Sequence, residues 1–137
     1  MGELANLVRR HPLTTFITAH VGCYSENLAW VSSVLEECPN LYVDISARIS
    51  ELGRQPYTAR RFFLKYSNRI LFGSDFGPDL NYYRMYFRFL ETEDEYFNYS
   101  ASSPTPLQGR WNICGINLPD DVLERVYYLN AKKVLGI

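Results

Sequence analysis

Cysteine is scarce and unpatterned in this chain. Cys23, Cys38 and Cys114 are an odd number at irregular spacing, with no Cys-x-x-Cys pair. That excludes the disulfide framework of a small secreted domain and points to a reducing, cytoplasmic setting with buried or free thiols. A long apolar run is missing as well, so no transmembrane helix and no membrane partner are expected. No basic-then-apolar leader pattern opens the sequence. An excess of one charge is also absent: 14 Lys and Arg stand against 15 Asp and Glu, a net charge of −1. A nucleic-acid partner would call for a basic stripe. Arg60 and Arg61 with Lys65 and Arg69 read instead as the solvated face of a helix.

Aromatic residues, in contrast, are abundant, with eleven Tyr and eight Phe among 137 residues, and 47% of the chain is hydrophobic. This is the composition of one globular domain or a piece of one, with enough apolar surface to bury a moderate core. Three runs of β-formers stand out: Thr14–His20, Leu41–Ser46 and Arg69–Asp75. A helical pattern follows the first from about Ser25 to Glu37, where Leu28, Val31, Val34 and Leu35 recur at three- and four-residue spacings. A second helix is expected over Tyr57–Tyr66, with Phe62 and Phe63 inward. The last begins after Pro119, with Asp120 and Asp121 matching the dipole of its first turn. Its expected stripes are Val122, Val126, Leu129 and Lys133, beside Leu123, Tyr127 and Val134, with Gly136 as the stop. Residues Gly2–Arg10 read as the end of an earlier helix.

Strand–helix alternation with near-continuous apolar strands predicts parallel βαβ units. The three strands should be adjacent in sequence order. Residues 79–118 interrupt the last unit as an insertion. Asn81–Glu95 reads as an aromatic helix and Ser100–Pro106 as a loop, and an insertion of that length usually covers a site.

Ligands of parallel α/β folds bind at the carboxyl ends of the strands. Those ends are His20, Asp44 to Ser46, and Asp75. Two of the three runs therefore stop on a residue able to hold a metal or move a proton, although a strand cap and a turn cap would use the same residue types. Asp44 lies inside an apolar run, where a carboxylate is costly unless paired. Arg48 is its expected partner, as Arg54 is for Glu51. His11 reads as a helix-end residue. Cys23, with one His nearby, lacks the four ligands of a structural zinc.

The segments Phe16-Ile-Thr-Ala-His20-Val-Gly22, Pro39-Asn40-Leu-Tyr-Val-Asp44-Ile-Ser46, Arg69-Ile-Leu-Phe-Gly-Ser-Asp75 and Leu118-Pro119 through Asn130-Ala131, in that order and spacing, resemble the C-terminal half of the amidohydrolase-related family of metal-dependent hydrolases and decarboxylases. Ser46 to Pro56 resembles one of its subgroups. The resemblance covers nearly the whole chain. It implies a partial (β/α)8 barrel: about three parallel βα units, strands six to eight, forming residues 1–137 as the C-terminal part of one domain. It implies further that Asp75 matches the metal-binding Asp of strand eight and His20 the strand-six His that handles the metal-activated water. By the same resemblance the complete enzyme holds a divalent metal, zinc being expected.

The sequence departs from the family pattern in having no His-x-His pair and no strand-five His. A whole barrel takes ~250 residues. The chain alone is therefore expected to bind no cofactor and to be inactive, as a fragment or half-barrel. The aromatic insertion points to an apolar part of a small-molecule substrate, and Arg48 to a carboxylate on it. Two other readings stay open. One is a small non-catalytic α/β interaction or phospho-acceptor module, which would need a strand-end Lys that is not there. The other is a catalytically dead remnant. Open sheet edges lead us to expect homo-oligomers.

Overall fold

Each strand forms where an apolar run meets a hydrogen-bonding neighbour. In the computed structural model, which describes residues 2–100, 102–106 and 108–137, β1 is Phe16–Thr18, β2 is Leu41–Asp44 and β3 is Ile70–Leu71. They make one parallel sheet in the order β1-β2-β3, as the alternation of strands and helices predicts. Phe16 pairs with Leu41 and Thr18 with Val43, while Val43 and Asp44 pair with Ile70 and Leu71. The ladders are shorter than the apolar runs. Beyond them the chain is held by lone bonds, such as Phe16 N–H to the Asn40 carbonyl at 2.9 Å and Ile45 N–H to the Leu71 carbonyl at 3.2 Å.

Helix α1, Gly2–Arg10, precedes β1. Helix α3, Leu28–Glu37, follows it, and Asn27 rather than Ser25 opens this helix by accepting the Trp30 N–H at 3.1 Å. Asparagine is among the best residues for that position. The buried face of α3 is Leu28, Val31, Val34 and Leu35, the four residues that the spacing selects. Between β2 and β3 run the single turn α4, Ile49–Leu52, and then α5, Pro56–Lys65, with Phe62 and Phe63 buried. Lys65 pairs with Glu36 across the α3–α5 contact. Helix α6, Leu80–Glu91, is capped by Asp79 and stops four residues before the expected Glu95. There Thr92 turns extended and its hydroxyl bonds back to the Arg88 carbonyl at 2.8 Å. Within the expected insertion, Phe97 and Ile113 form an antiparallel bridge, and the Ile116 and Leu118 N–H groups bond to α6 carbonyls at 2.8 Å. Met1, and Ala101 and Leu107 of that insertion, lie outside the described residues.

The final helix departs from a simple α-helical period. It runs as α7, Asp120–Glu124, then a π-helical turn over Arg125–Leu129, then α8, Asn130–Leu135, and ends on Gly136 with φ 72°. The wide turn adds a residue, so the inward stripe is Val122, Val126 and Asn130, while Leu129 is 39% exposed and Lys133 is exposed. The stripe Val122–Val126–Leu129–Lys133 is corrected accordingly. Asn130 donates to the carbonyls of Ser67 and Ile70, both at 2.7 Å. The carbonyl of Val126 accepts the Phe72 N–H at 2.9 Å. The bulge thus serves here as a docking point for the strand end. No helix among the described residues is long and apolar enough to cross a membrane.

Candidate active site at the strand ends

Parallel strands put their three carboxyl ends on one edge, and the expected residues collect there. β1 leads into α2, His20–Cys23, a single left-handed turn. Its φ values are 60° at His20, 53° at Val21, 67° at Gly22 and 54° at Cys23. Only Gly22 tolerates this conformation freely. The other three cost roughly 1–2 kcal/mol each, so the turn must be held by its surroundings. The hold comes from β2. Asp44 Oδ1 accepts the His20 N–H at 2.9 Å and the Ser46 N–H at 3.0 Å. The His20 ring then meets the Ser46 carbonyl through Nδ1 at 2.8 Å.

This geometry overturns the ion pairs expected from sequence. Among the described residues the ion pairs are Arg9–Glu37, Lys65–Glu36, Arg88–Asp94 and Arg125–Asp121. Asp44 takes backbone N–H groups instead of Arg48, because two amides at the strand end need an acceptor that the sheet cannot supply. Arg48 donates to the Ala47 carbonyl at 2.9 Å. Glu51 accepts the Ser50 hydroxyl at 2.6 Å, and Arg54 lies over the Trp111 ring at 4.6 Å.

The β3 end is tied in by Tyr86, a residue the sequence reading did not single out. Its hydroxyl accepts the Ala47 N–H at 2.8 Å and donates to the Ser74 carbonyl at 3.3 Å. Burial pushes this phenol up to about 12, with the nearby negative charges of Asp75 and Asp44 adding to the effect. It is therefore a neutral donor at physiological pH. Gly73 leaves room for Ser46, whose Oγ would lie 2.3 Å from a Cβ at that position. Asp75 is exposed and also left-handed, at φ 66°. In the sheet order β2 lies between β1, which His20 follows, and β3, which Asp75 follows four residues on; the charge of Asp75 is felt at Tyr86. His11 precedes β1 and belongs to the opposite end of the sheet. The thiol-bearing residue Cys23 is exposed and unpaired with another cysteine.

A cavity of about 130 Å³ opens at this edge. Its walls include Ala47, Ile49, Phe76, Tyr82, Tyr99 and Gln108. Phe76, next to Asp75 in the chain, stacks on Tyr82 with ring centres 4.0 Å apart. Gln108 from the insertion bonds to the Ala47 carbonyl at 2.9 Å, and Trp111 to the Ser50 carbonyl at 3.1 Å. The segment after α6 therefore lies over the site. The hint to Tyr86 was present in the sequence, as one of five aromatics on a helix directly after the third strand run. Its particular contact was not legible there.

The fold and this edge define an α/β protein with polar residues at the ends of a parallel sheet. A family model described as amidohydrolase matches residues 1–137, and the chain belongs to that family of hydrolases and decarboxylases. Comparison with curated proteins and with solved structures finds no match.

Proposed function

We propose that these residues form the strand-six to strand-eight side of an amidohydrolase-type barrel that hydrolyses or decarboxylates a small molecule. His20 is its proton-handling group and Asp75 its metal ligand. The observation that supports this best is the convergence of His20, Asp44 and Ser46 at the carboxyl ends of β1 and β2, with Asp75 on the segment that leaves β3 at the same edge of the parallel sheet. The residues present do not make a divalent-metal site by themselves: among the described residues no three of His, Cys, Asp or Glu cluster, and a catalytic zinc takes about three protein ligands. We infer that the other ligands, a His-x-His pair and a further His, come from outside these 137 residues, that zinc is the metal of the complete site, and that the chain alone is inactive.

The residues of this chain divide the remaining work. His20, with Nδ1 on a carbonyl, offers Nε2 to accept a proton. The cavity beside Phe76 and Tyr82 receives an apolar or aromatic part of the substrate. Its volume supports this: an apolar cavity of ~150 Å³ takes up one benzene ring. Arg48, at the mouth of the same loop, meets a substrate carboxylate.

The test is metal analysis with a hydrolase and decarboxylase panel, on the chain alone and after joining it to the N-terminal half of a family member. We expect substoichiometric metal and no turnover alone, and a metal site with turnover after joining, both lost in Asp75→Asn. Tight stoichiometric metal in the chain alone, or a joined barrel that keeps metal and turnover in Asp75→Asn, overturns the assignment. A joined barrel that binds metal but stays inactive on every substrate favours the dead-remnant reading.

A further inference from the structure

Among the described residues the Asp44 side chain is in none of the ion pairs. What it does is hold two amides, one on each side of the gap between β1 and β2. The first belongs to His20 itself, in a backbone conformation that a β-carbon disfavours. The second belongs to Ser46, whose carbonyl lies 2.8 Å from His20 Nδ1. A carbonyl oxygen can only accept, so Nδ1 must carry the hydrogen. A neutral imidazole with hydrogen on Nδ1 has its lone pair on Nε2. Among the described residues nothing bonds to that second nitrogen. The Ser46 turn is fixed from two further sides. Tyr86 accepts the Ala47 N–H, and Gly73 gives space to the Ser46 side chain.

We propose that Asp44 is a positioning residue that locks His20 into the Nδ1–H tautomer through the Ser46 carbonyl, making Nε2 the nitrogen that accepts a proton. One carboxylate sets both backbone and ring: it orients the His20 main chain directly and the acceptor for the His20 ring at second hand. This rests on the reading of His20 as the proton-handling group. The tautomer itself, however, can be read without any turnover.

The chain has only two histidines, so the experiment is direct. Nitrogen-15 imidazole spectra of the full chain near pH 8 separate the two tautomers by their ring-nitrogen shifts, and His11→Gln assigns the His20 signals. We expect a protonated Nδ1 and a bare Nε2 in the wild type. Asp44→Asn, which keeps an Oδ1 acceptor, should retain that pattern. Asp44→Ala should lose it, the ring averaging between tautomers as a solvated histidine does. Should Asp44→Ala fail to fold, Asp44→Ser gives a shorter acceptor and should show the averaged pattern. A wild-type ring with hydrogen on Nε2 overturns the proposal, as does a folded Asp44→Ala or Asp44→Ser chain with the wild-type spectrum. The locked tautomer in a joined barrel without turnover would leave this assignment standing and count against the catalytic reading alone.

Discussion

At Tyr86 a single hydroxyl joins the loops that leave β2 and β3. Removing it in Tyr86→Phe strands the Ala47 amide and the Ser74 carbonyl, and a buried unpaired group costs about 1–3 kcal/mol. We expect a loss of that size in urea unfolding. The phenol also sets a pH response. Its folded value is raised from 10.0 to about 12, so the folded state keeps a proton that the unfolded state releases. The associated stability is fully present below pH 10 and is lost as pH rises towards 12, by roughly 2–3 kcal/mol for a shift of this size. Unfolding curves between pH 9 and 12 should fall steeply in the wild type and less so in Tyr86→Phe. Equal slopes would show that this phenol is not the group responsible. His20 carries the catalytic expectation at this scale. In a joined, active barrel His20→Ala should lower turnover by about 10²–10⁴-fold, the usual worth of a general base, with metal content nearly unchanged.

Between elements, the decisive contact is the one made by the π-helical turn. It turns Asn130 inward to satisfy two carbonyls at the α5–β3 junction and offers the Val126 carbonyl to Phe72. β3 is only two residues long, so these bonds do work that a longer ladder would otherwise share. Asn130→Ala leaves both carbonyls buried and unpaired. We expect it to destabilise the chain by at least about 1–3 kcal/mol and to loosen β3 specifically. Hydrogen exchange at Phe72 should speed up more than exchange in α3. Uniform acceleration would mean that the turn only supports global stability. The helix faces themselves were legible beforehand. Leu28, Val31, Val34 and Leu35 follow the 3.6-residue period because α3 is regular, whereas the shift from Leu129 to Asn130 follows from a bulge that hydrophobic spacing does not encode.

For the whole molecule, the sheet is unequally protected. β2 is buried and flanked, whereas among the described residues β1 pairs on one side only and carries Ile17 at 49% exposure. Leu13, just before it, is fully exposed. Unpaired apolar edges recruit partners, and charge on the edge discourages them. We expect the isolated chain to self-associate in sedimentation experiments, and Ile17→Lys to shift it towards monomer. A wild-type monomer at high concentration would show that this edge is not sticky. The same edge is where a fifth barrel strand would pair in the proposed enzyme, so joining the N-terminal half should suppress self-association as Ile17→Lys does.

By itself the sequence determined the strand order, the parallel sense and the buried faces of α3 and α5, because each rests on a short-range pattern of apolar period and chain punctuation; it placed the ends of β1 and β3 two and four residues too late. It also carried the family, through motifs in a fixed order along the chain. What Asp44 does was decided only in three dimensions. In sequence it had one visible partner, Arg48, four residues on. In the fold the nearest unsatisfied groups are amides, one of them twenty-four residues back. Tyr86 likewise gains its meaning from two loops it meets across distances of 39 and 12 residues. Such contacts depend on where a chain returns in space, and a local period carries no record of that.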